Sequence, residues 1–371
     1  MSSRPRLAVL LLLGLAVLGA FAVGCGNVAS PKGWASPALS DGQLVLAHRK
    51  DLFSYDASTL TPQWKFPTGD IKGGDVVALY GTPAIADGAV FVPTYDGTLY
   101  ALNAETGAPL WAAPFETDGP LVGGVTVANG TVYFGSSDGK LYAVDAETGE
   151  ERWPAFKTDK EIWSTPVIAG DSLYLTSLDS NLYVLNAATG QERWSFETDA
   201  GVAATPVVDE AAGRVYVGGF DARLRAIDLE THEEIWSIKA GNWFWSRPLV
   251  DGGIVYAPSL DQKVYAVSAA TSEKEWAKPF ATEAEVLAAP IVVGDVVFIA
   301  DRDGNLYGLD KQTGIPAFAE RLKLGATVLS DPILLESDGA TVLGIVTTGG
   351  DLFLVDPETL QTLRQIRLTG S

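Results

Sequence analysis

The chain is short of the residues that carry most side-chain chemistry. It has one cysteine, Cys25, and two histidines, His48 and His232, in 371 residues. A single cysteine excludes an intramolecular disulfide and any cysteine-built metal centre. The histidines lie far apart with no ligand-like spacing, so the pattern assigns them neither to a metal nor to proton transfer. No glycine-rich phosphate loop and no Ser–His–Asp arrangement stands out. Basic residues are also few. Against 46 Asp and Glu there are 26 Lys and Arg, a formal charge of −20. Such a chain is repelled by phosphate backbones, which argues against nucleic acid as a partner. It gains nothing electrostatically from an anionic membrane surface.

The long apolar run is at the start. Arg4 and Arg6 precede 17 apolar residues, 7–23, and small residues then lead to Cys25. This is the layout of a secretory signal, to be set aside from the fold. Ala22-Val23-Gly24-Cys25 resembles a bacterial lipobox, with Ala where Leu is usual. The resemblance implies that 1–24 is a signal peptide and that Cys25 is the lipidated first mature residue. Residues 25–33 then form a short tether. The other reading is an uncleaved membrane anchor, 17 apolar residues being at the lower limit for spanning. Both readings place the rest of the chain outside the cytoplasm, and the expected attachment is the lipid anchor alone.

What fills residues 34–371 is a repeat. DGTLYALNAETGAPLW at 96–111 returns as DGKLYAVDAETGEERW at 138–153 and as DSNLYVLNAATGQERW at 179–194. Further copies are DARLRAIDLETHEEIW at 221–236, DQKVYAVSAATSEKEW at 261–276 and DGNLYGLDKQTGIPAF at 303–318. Weaker copies flank them at 50–64 and 350–364. The first apolar positions, from Leu52 to Leu352, stand 40 to 47 residues apart. Each unit reads as four short strands. In residues 82–115 these are 83–86, 89–94, 98–103 and 109–115, separated by turns at Asp87-Gly88, Asp96-Gly97 and Glu105-Thr106-Gly107. Four antiparallel strands per 40–47 residues, eight times over, predict an all-β, eight-bladed β-propeller.

The L-Y-A-[LV]-[DN]-A-x-T-G-x-x-x-W strings resemble the PQQ-like repeat family, named for pyrroloquinoline quinone. The family's repeat tryptophan packs between adjacent blades. That role falls on Trp64, Trp111, Trp153, Trp194, Trp236 and Trp276, with Phe318 and Arg364 in the last two copies. A large flat ring at a fixed point of each blade suits that position on physical grounds as well.

Propellers bind through the central channel and its mouths. The residue three before each inner-strand proline should form a ring at one mouth: Trp34, Tyr80, Trp163, Ala203, Trp245, Leu287 and Leu329, with Val122 in the blade lacking that proline. Trp243-Phe244-Trp245-Ser246-Arg247 is the densest aromatic stretch. Aromatics with one Arg have the composition of binding hot spots. Trp34, Tyr80, Trp163, Trp243, Trp245 and Arg247 are therefore the candidate binding residues, the other reading being that these rings plug the channel or pack on the neighbouring blade. The hairpin aspartates Asp96, Asp138, Asp179, Asp221, Asp261 and Asp303 should lie on the same face, there for turn geometry. No catalytic, cofactor-binding or metal-binding residue is assigned. The stretch Asp301-Arg302-Asp303-Gly304-Asn305 lacks the downstream ligands of a calcium loop.

Anchor and repeats together resemble outer-membrane assembly lipoproteins of the BamB type. That resemblance implies a non-catalytic scaffold with envelope protein partners and no cofactor. Two other readings remain open. One is a quinoprotein dehydrogenase holding PQQ and calcium. The other is a surface receptor or adhesion module for sugar or peptide.

Overall fold

A computed structural model describes residues 33–67, 78–337 and 339–368. The signal-peptide and lipidation assignments, residues 1–24 and Cys25, lie outside them, as does most of the tether.

Thirty-two strands form eight four-stranded antiparallel sheets, and no described residue is helical. Each sheet uses four strands consecutive in sequence, so each is one repeat. The blades span 38–66, 84–116, 125–157, 167–197, 207–239, 249–281, 291–323 and 333–367. The protein is an eight-bladed β-propeller.

Strand chemistry follows position. The second strands are largely buried, and Ala89–Pro93 and Thr131–Gly135 are buried at every residue, because both faces of a blade meet a neighbour. They read as continuous apolar runs for that reason. Outer strands such as Glu192–Glu197 are largely exposed and carry the polar residues.

Among the described residues the core is divided and not central. The buried residues fall into eight apolar clusters, and each cluster joins two adjacent blades. Between blades 3 and 4, for example, Tyr133, Leu141 and Trp153 meet Ile162, Leu173 and Leu185. The gap between blades 8 and 1 is filled in the same way, by Leu335, Val342 and Leu352 against Leu44, Leu46 and Tyr55. The first and last sheets exchange no strand. Side-chain packing therefore closes the ring, helped by the Asp331 N–H, which donates to Ser36 Oγ at 3.0 Å.

The repeat tryptophan reaches the next blade at one turn. Indole N–H groups of Trp64, Trp111, Trp153, Trp236 and Trp276 donate to the carbonyls of Ala104, Ala146, Ala187, Ala269 and Lys311. Trp64, Trp111, Trp153 and Trp276 lie over Gly107, Gly149, Gly190 and Gly314. A Cβ there would come within 2.5–2.8 Å of a ring. All four glycines have φ of 69–75°, so the position demands both a left-handed backbone and no side chain. Where the turn carries His232 instead, at φ 63°, the imidazole stacks on Trp194 at 4.4 Å.

The exceptions are matched in pairs. Phe318 and Arg364 replace tryptophan, and the turns they face carry Leu360 and Leu60. Both leucines are buried in the corresponding clusters. A smaller or non-aromatic side chain on one blade is made up by an added side chain on the next.

Blade 2 departs from expectation at its rim. The outer strand is Phe115–Glu116, not 109–115, with an isolated bridge at Pro109. Blades 3, 6 and 7 are interrupted likewise, whereas blades 1, 4, 5 and 8 have outer strands of five or six residues with a bulge. The cause is an insertion. Trp194 and Phe196 are two apart, but Trp111 and Phe115 are four apart, and the extra residues leave the ladder.

Two stability predictions follow from these contacts. Trp153→Ala should cost about 3–5 kcal/mol, read from urea unfolding. Asp56, Asp145, Asp228, Asp310 and Asp356 cap the outer turns. Hydrogen bonds from the turn hold their carboxyls below the usual 3.8, Asp56 down to about 2. His48 at the seam is lowered from 6.5, first by burial and then by Arg49 and Arg367. In each case the folded state binds fewer protons than the unfolded chain. Stability is thus full above both unfolded values and is lost on acidification. Urea midpoints should decline first below about pH 6.5 and again, more steeply, below about pH 4.

Candidate binding site at the channel mouth

Strand register fixes what shares a face. In blade 2 the innermost strand starts where the second ends, with Ala84 opposite Phe91. The outer strand ends where the third begins, with Glu116 opposite Thr98. The hairpin at Asp96-Gly97 and the loops linking successive blades therefore lie together at one mouth, as the sequence predicts.

The hairpin aspartates pin those loops. Asp138 accepts from the Tyr142 hydroxyl at 2.6 Å, from the Lys140 N–H at 2.9 Å, and from the Asp118 N–H of the incoming loop at 3.3 Å. Asp179 does the same with Tyr183 and the Asp159 N–H, and Asp261 with Tyr265 and the Gly241 N–H. Asp96 pairs with the Thr94 hydroxyl. In blade 5 the tyrosine is replaced by Arg225, which pairs with Asp221, Asp199 and Glu234. Burial, followed by the neighbouring carboxylate, pushes the hydroxyls of Tyr142, Tyr183 and Tyr265 well above the usual 10. Tyr307 rises to about 12.

Blade 7 corrects the expectation for Asp303. That residue is exposed, and the work is done two residues earlier by buried Asp301. Asp301 takes bonds from the Asn305 N–H, the Asn305 side chain and the Tyr307 hydroxyl. The calcium-like run is thus a hairpin whose acid is spent on protein donors.

The loops then descend to the inner strands through three positions. The first is the predicted ring. The second is Gly, Ala or Ser in every blade, from Ala35 to Ser330, and is buried throughout. Blades converge toward the axis, and a Cβ on Gly81 would lie 2.0 Å from the Gly123 carbonyl oxygen. The third position lines the channel. It is Ser36, Thr82, Gly124, Thr165, Thr205, Arg247, Ala289 and Asp331 in turn. Here backbone N–H groups reach to the next blade: Gly124 to Thr165 Oγ1 at 2.9 Å, Thr165 to Thr205 Oγ1 at 3.1 Å, and Ala289 to Asp331 Oδ1 at 2.7 Å.

Within that ring the candidate aromatics fall into two clusters. Trp34 and Tyr80 meet edge-to-face at 4.2 Å, and Tyr80 touches Tyr95 at 4.8 Å. On blades 4–6, Trp163 and Trp245 meet at 6.4 Å across Ala203, the small member between them. Phe220 stacks on Trp243 at 4.5 Å and on Trp245 at 5.8 Å. The Trp163 N–H donates to Ser137 Oγ. Tyr80 is buried, Trp34, Trp163, Trp243 and Trp245 are half-buried, and Arg247 is exposed. Phe244, amid the aromatic stretch, leaves the mouth for the core between blades 5 and 6. Arg247 faces Asp331, Nε to Oδ2 at 3.4 Å.

Tyr95 and Phe220 were not among the expected residues. Both directly precede a hairpin aspartate, where the other strong copies carry Ser137, Leu178, Leu260 and Arg302. An aromatic at that point was the available signal.

Comparison with known proteins agrees with this anatomy. The family profile described as "Outer membrane protein assembly factor BamB" matches residues 22–156, 113–241 and 221–370. The chain belongs to the BamB family. An outer membrane protein assembly factor BamB from Marinobacter adhaerens (strain DSM 23420 / HP15) is 32% identical over 75 residues. That match spans 20% of this chain and 18% of the relative. The crystal structure of BamB from Moraxella catarrhalis superposes with a TM-score of 0.70 at 17% identity, covering 85% of this chain and 93% of that one. A europium-containing methanol dehydrogenase gives 0.71 at 13% identity over 88% and 84%. At these identities the two structures show the fold alone.

The shifted hairpin acid gives a sharp contrast. Asp301→Ala should cost about 1–3 kcal/mol, because Asn305 and Tyr307 lose their acceptor. Asp303→Ala should stay within about 0.5 kcal/mol of the parent. Thermal or urea unfolding of the two variants checks both.

Proposed function

We propose that this BamB-family propeller is a non-catalytic scaffold of the cell envelope. It is anchored by lipid at Cys25 and binds protein partners through its aromatic mouth. Family membership supports the envelope setting and the assembly role. The observation that carries the binding role is the Trp163–Trp245–Phe220–Trp243 cluster, half-buried rings beside an exposed arginine on loops of a rigid frame. Large aromatics that are already ordered lose little entropy when a partner covers them.

The alternative with a specific observation behind it is a quinone-dependent dehydrogenase, since the fold is shared with a methanol dehydrogenase. The residues at the mouth do not fit that group. PQQ is a polyanionic quinone that works with a divalent cation. The channel-lining position offers a single cation, Arg247, against a group that carries several carboxylates. No three His, Cys, Asp or Glu side chains stand close enough to hold a metal among the described residues.

Crosslinking and pull-down from membranes, comparing the full-length parent with Trp245→Ala, tests the scaffold reading. Loss of the parent's specific partners is expected, and an unchanged set would reduce the cluster to packing. Stoichiometric PQQ retained after incubation with calcium, with dye-linked dehydrogenase activity, would overturn the non-catalytic assignment.

A further inference from the structure

The channel-lining position carries a break in its hydrogen bonding. From blade 3 to 5 the N–H at this position donates to the next blade's side chain, and from blade 7 to 1 it does so again. Between these runs, Thr205 faces Arg247 and Arg247 faces Ala289, neither of which offers a side-chain oxygen. Among the described residues, the N–H groups of Thr205 and Arg247 have no acceptor. The opposite break, at Ser36 and Thr82, has no charged residue.

Arg247 adds a guanidinium to the first break. Its Nε faces Asp331 Oδ2, and its two terminal nitrogens donate no hydrogen bond among the described residues. Asp331 is itself fixed, since Oδ1 takes the Ala289 N–H and its own N–H goes to Ser36. The carboxylate therefore orients the arginine without using its fork. The side chain is 49% exposed. Beside it, the Ser246 hydroxyl is buried without a partner. In blade 4 the matching Ser164 exchanges bonds with the Thr176 backbone, but Pro258 stands at that place in blade 6 and has no N–H.

We propose that the blade 6 entrance is a carboxylate-binding site that takes the C-terminal end of a polypeptide, with an aromatic or aliphatic last side chain seated against Trp163 and Trp245. The proposal rests on the mouth as the partner-binding face and names the chemistry it recognises. A free guanidinium fork and backbone N–H groups are donors matched to a carboxylate, and the indoles supply apolar surface. The approach is crowded, since the second position is Gly, Ala or Ser and buried in every blade, and a crowded approach favours a chain end, which enters without having to return.

The test is a titration of the full-length, detergent-solubilised protein by tryptophan fluorescence. The probes are acetyl-Ala-Gly-Ala-Phe as free acid, the same peptide as C-terminal amide, and an amidated peptide with one internal glutamate. Saturable binding of the free acid is expected, at least about tenfold tighter than either amide, as for loss of a charge-assisted hydrogen bond. Arg247→Gln should remove that preference with an unchanged unfolding midpoint, and Arg247→Lys should recover part of it. Equal binding of acid and amide, an unaffected Arg247→Gln variant, or no binding at all would overturn the proposal. Equal binding by the glutamate peptide would overturn the chain-end assignment. The partner-binding reading fails separately, if Trp245→Ala keeps every pulled-down partner.

Discussion

Everything in this molecule depends on how one blade meets the next. A single four-stranded sheet of these lengths has two apolar faces and cannot bury either alone. The chain's solution is a fixed joint. In four gaps a tryptophan near the outer strand lies on a glycine turn of the following blade, and in five its N–H goes to a carbonyl of that turn. The joint recurs because both partners belong to the same repeat. A ring of such joints turns weakly self-sufficient sheets into one body whose core is eight layers between blades. The matched exceptions, Phe318 with Leu360 and Arg364 with Leu60, show that the constraint is on volume in the gap and not on tryptophan as such.

That joint also explains how much could be read in advance. The fold was legible because the repeat prints its hairpin, its turn and its tryptophan in every copy. Eight registers are hard to mistake, and the left-handed glycine identifies the turn. What escaped was local. Extra residues between Trp111 and Phe115 push part of the outer strand off the ladder, a difference of two positions within an otherwise faithful copy. The move of the hairpin acid from Asp303 to Asp301 escaped for a similar reason. The string places the acid at 303, and only the bonds that Asn305 and Tyr307 make show that Asp301 has taken its work.

The mouth was half legible. Counting back from the inner-strand prolines located the right loops, since the proline marks where each blade begins. It could not say which rings meet, because Trp163 and Trp245 belong to blades two apart and touch over the small Ala203. Phe220 and Tyr95 come from hairpins, outside the counted positions. Arg247 is a further case. Sequence places it among aromatics, but its bond is to Asp331, 84 residues on. Repeat logic predicts what is common to blades. The features that distinguish this BamB-family chain lie where individual blades break the common pattern.

The seam between blades 8 and 1 has a topological consequence. Among the described residues neither terminal sheet borrows a strand, so no strand crosses the seam. Chemically, that gap is one of eight, distinguished by which side chains fill it and not by how the backbone runs. The order of blades around the ring is therefore cyclic information, and the place where the chain is cut is a separate choice. A sequence rotated by whole repeats would specify the same set of sheets. The architecture leaves the entry and exit of the chain free to be placed wherever attachment to the surroundings requires them.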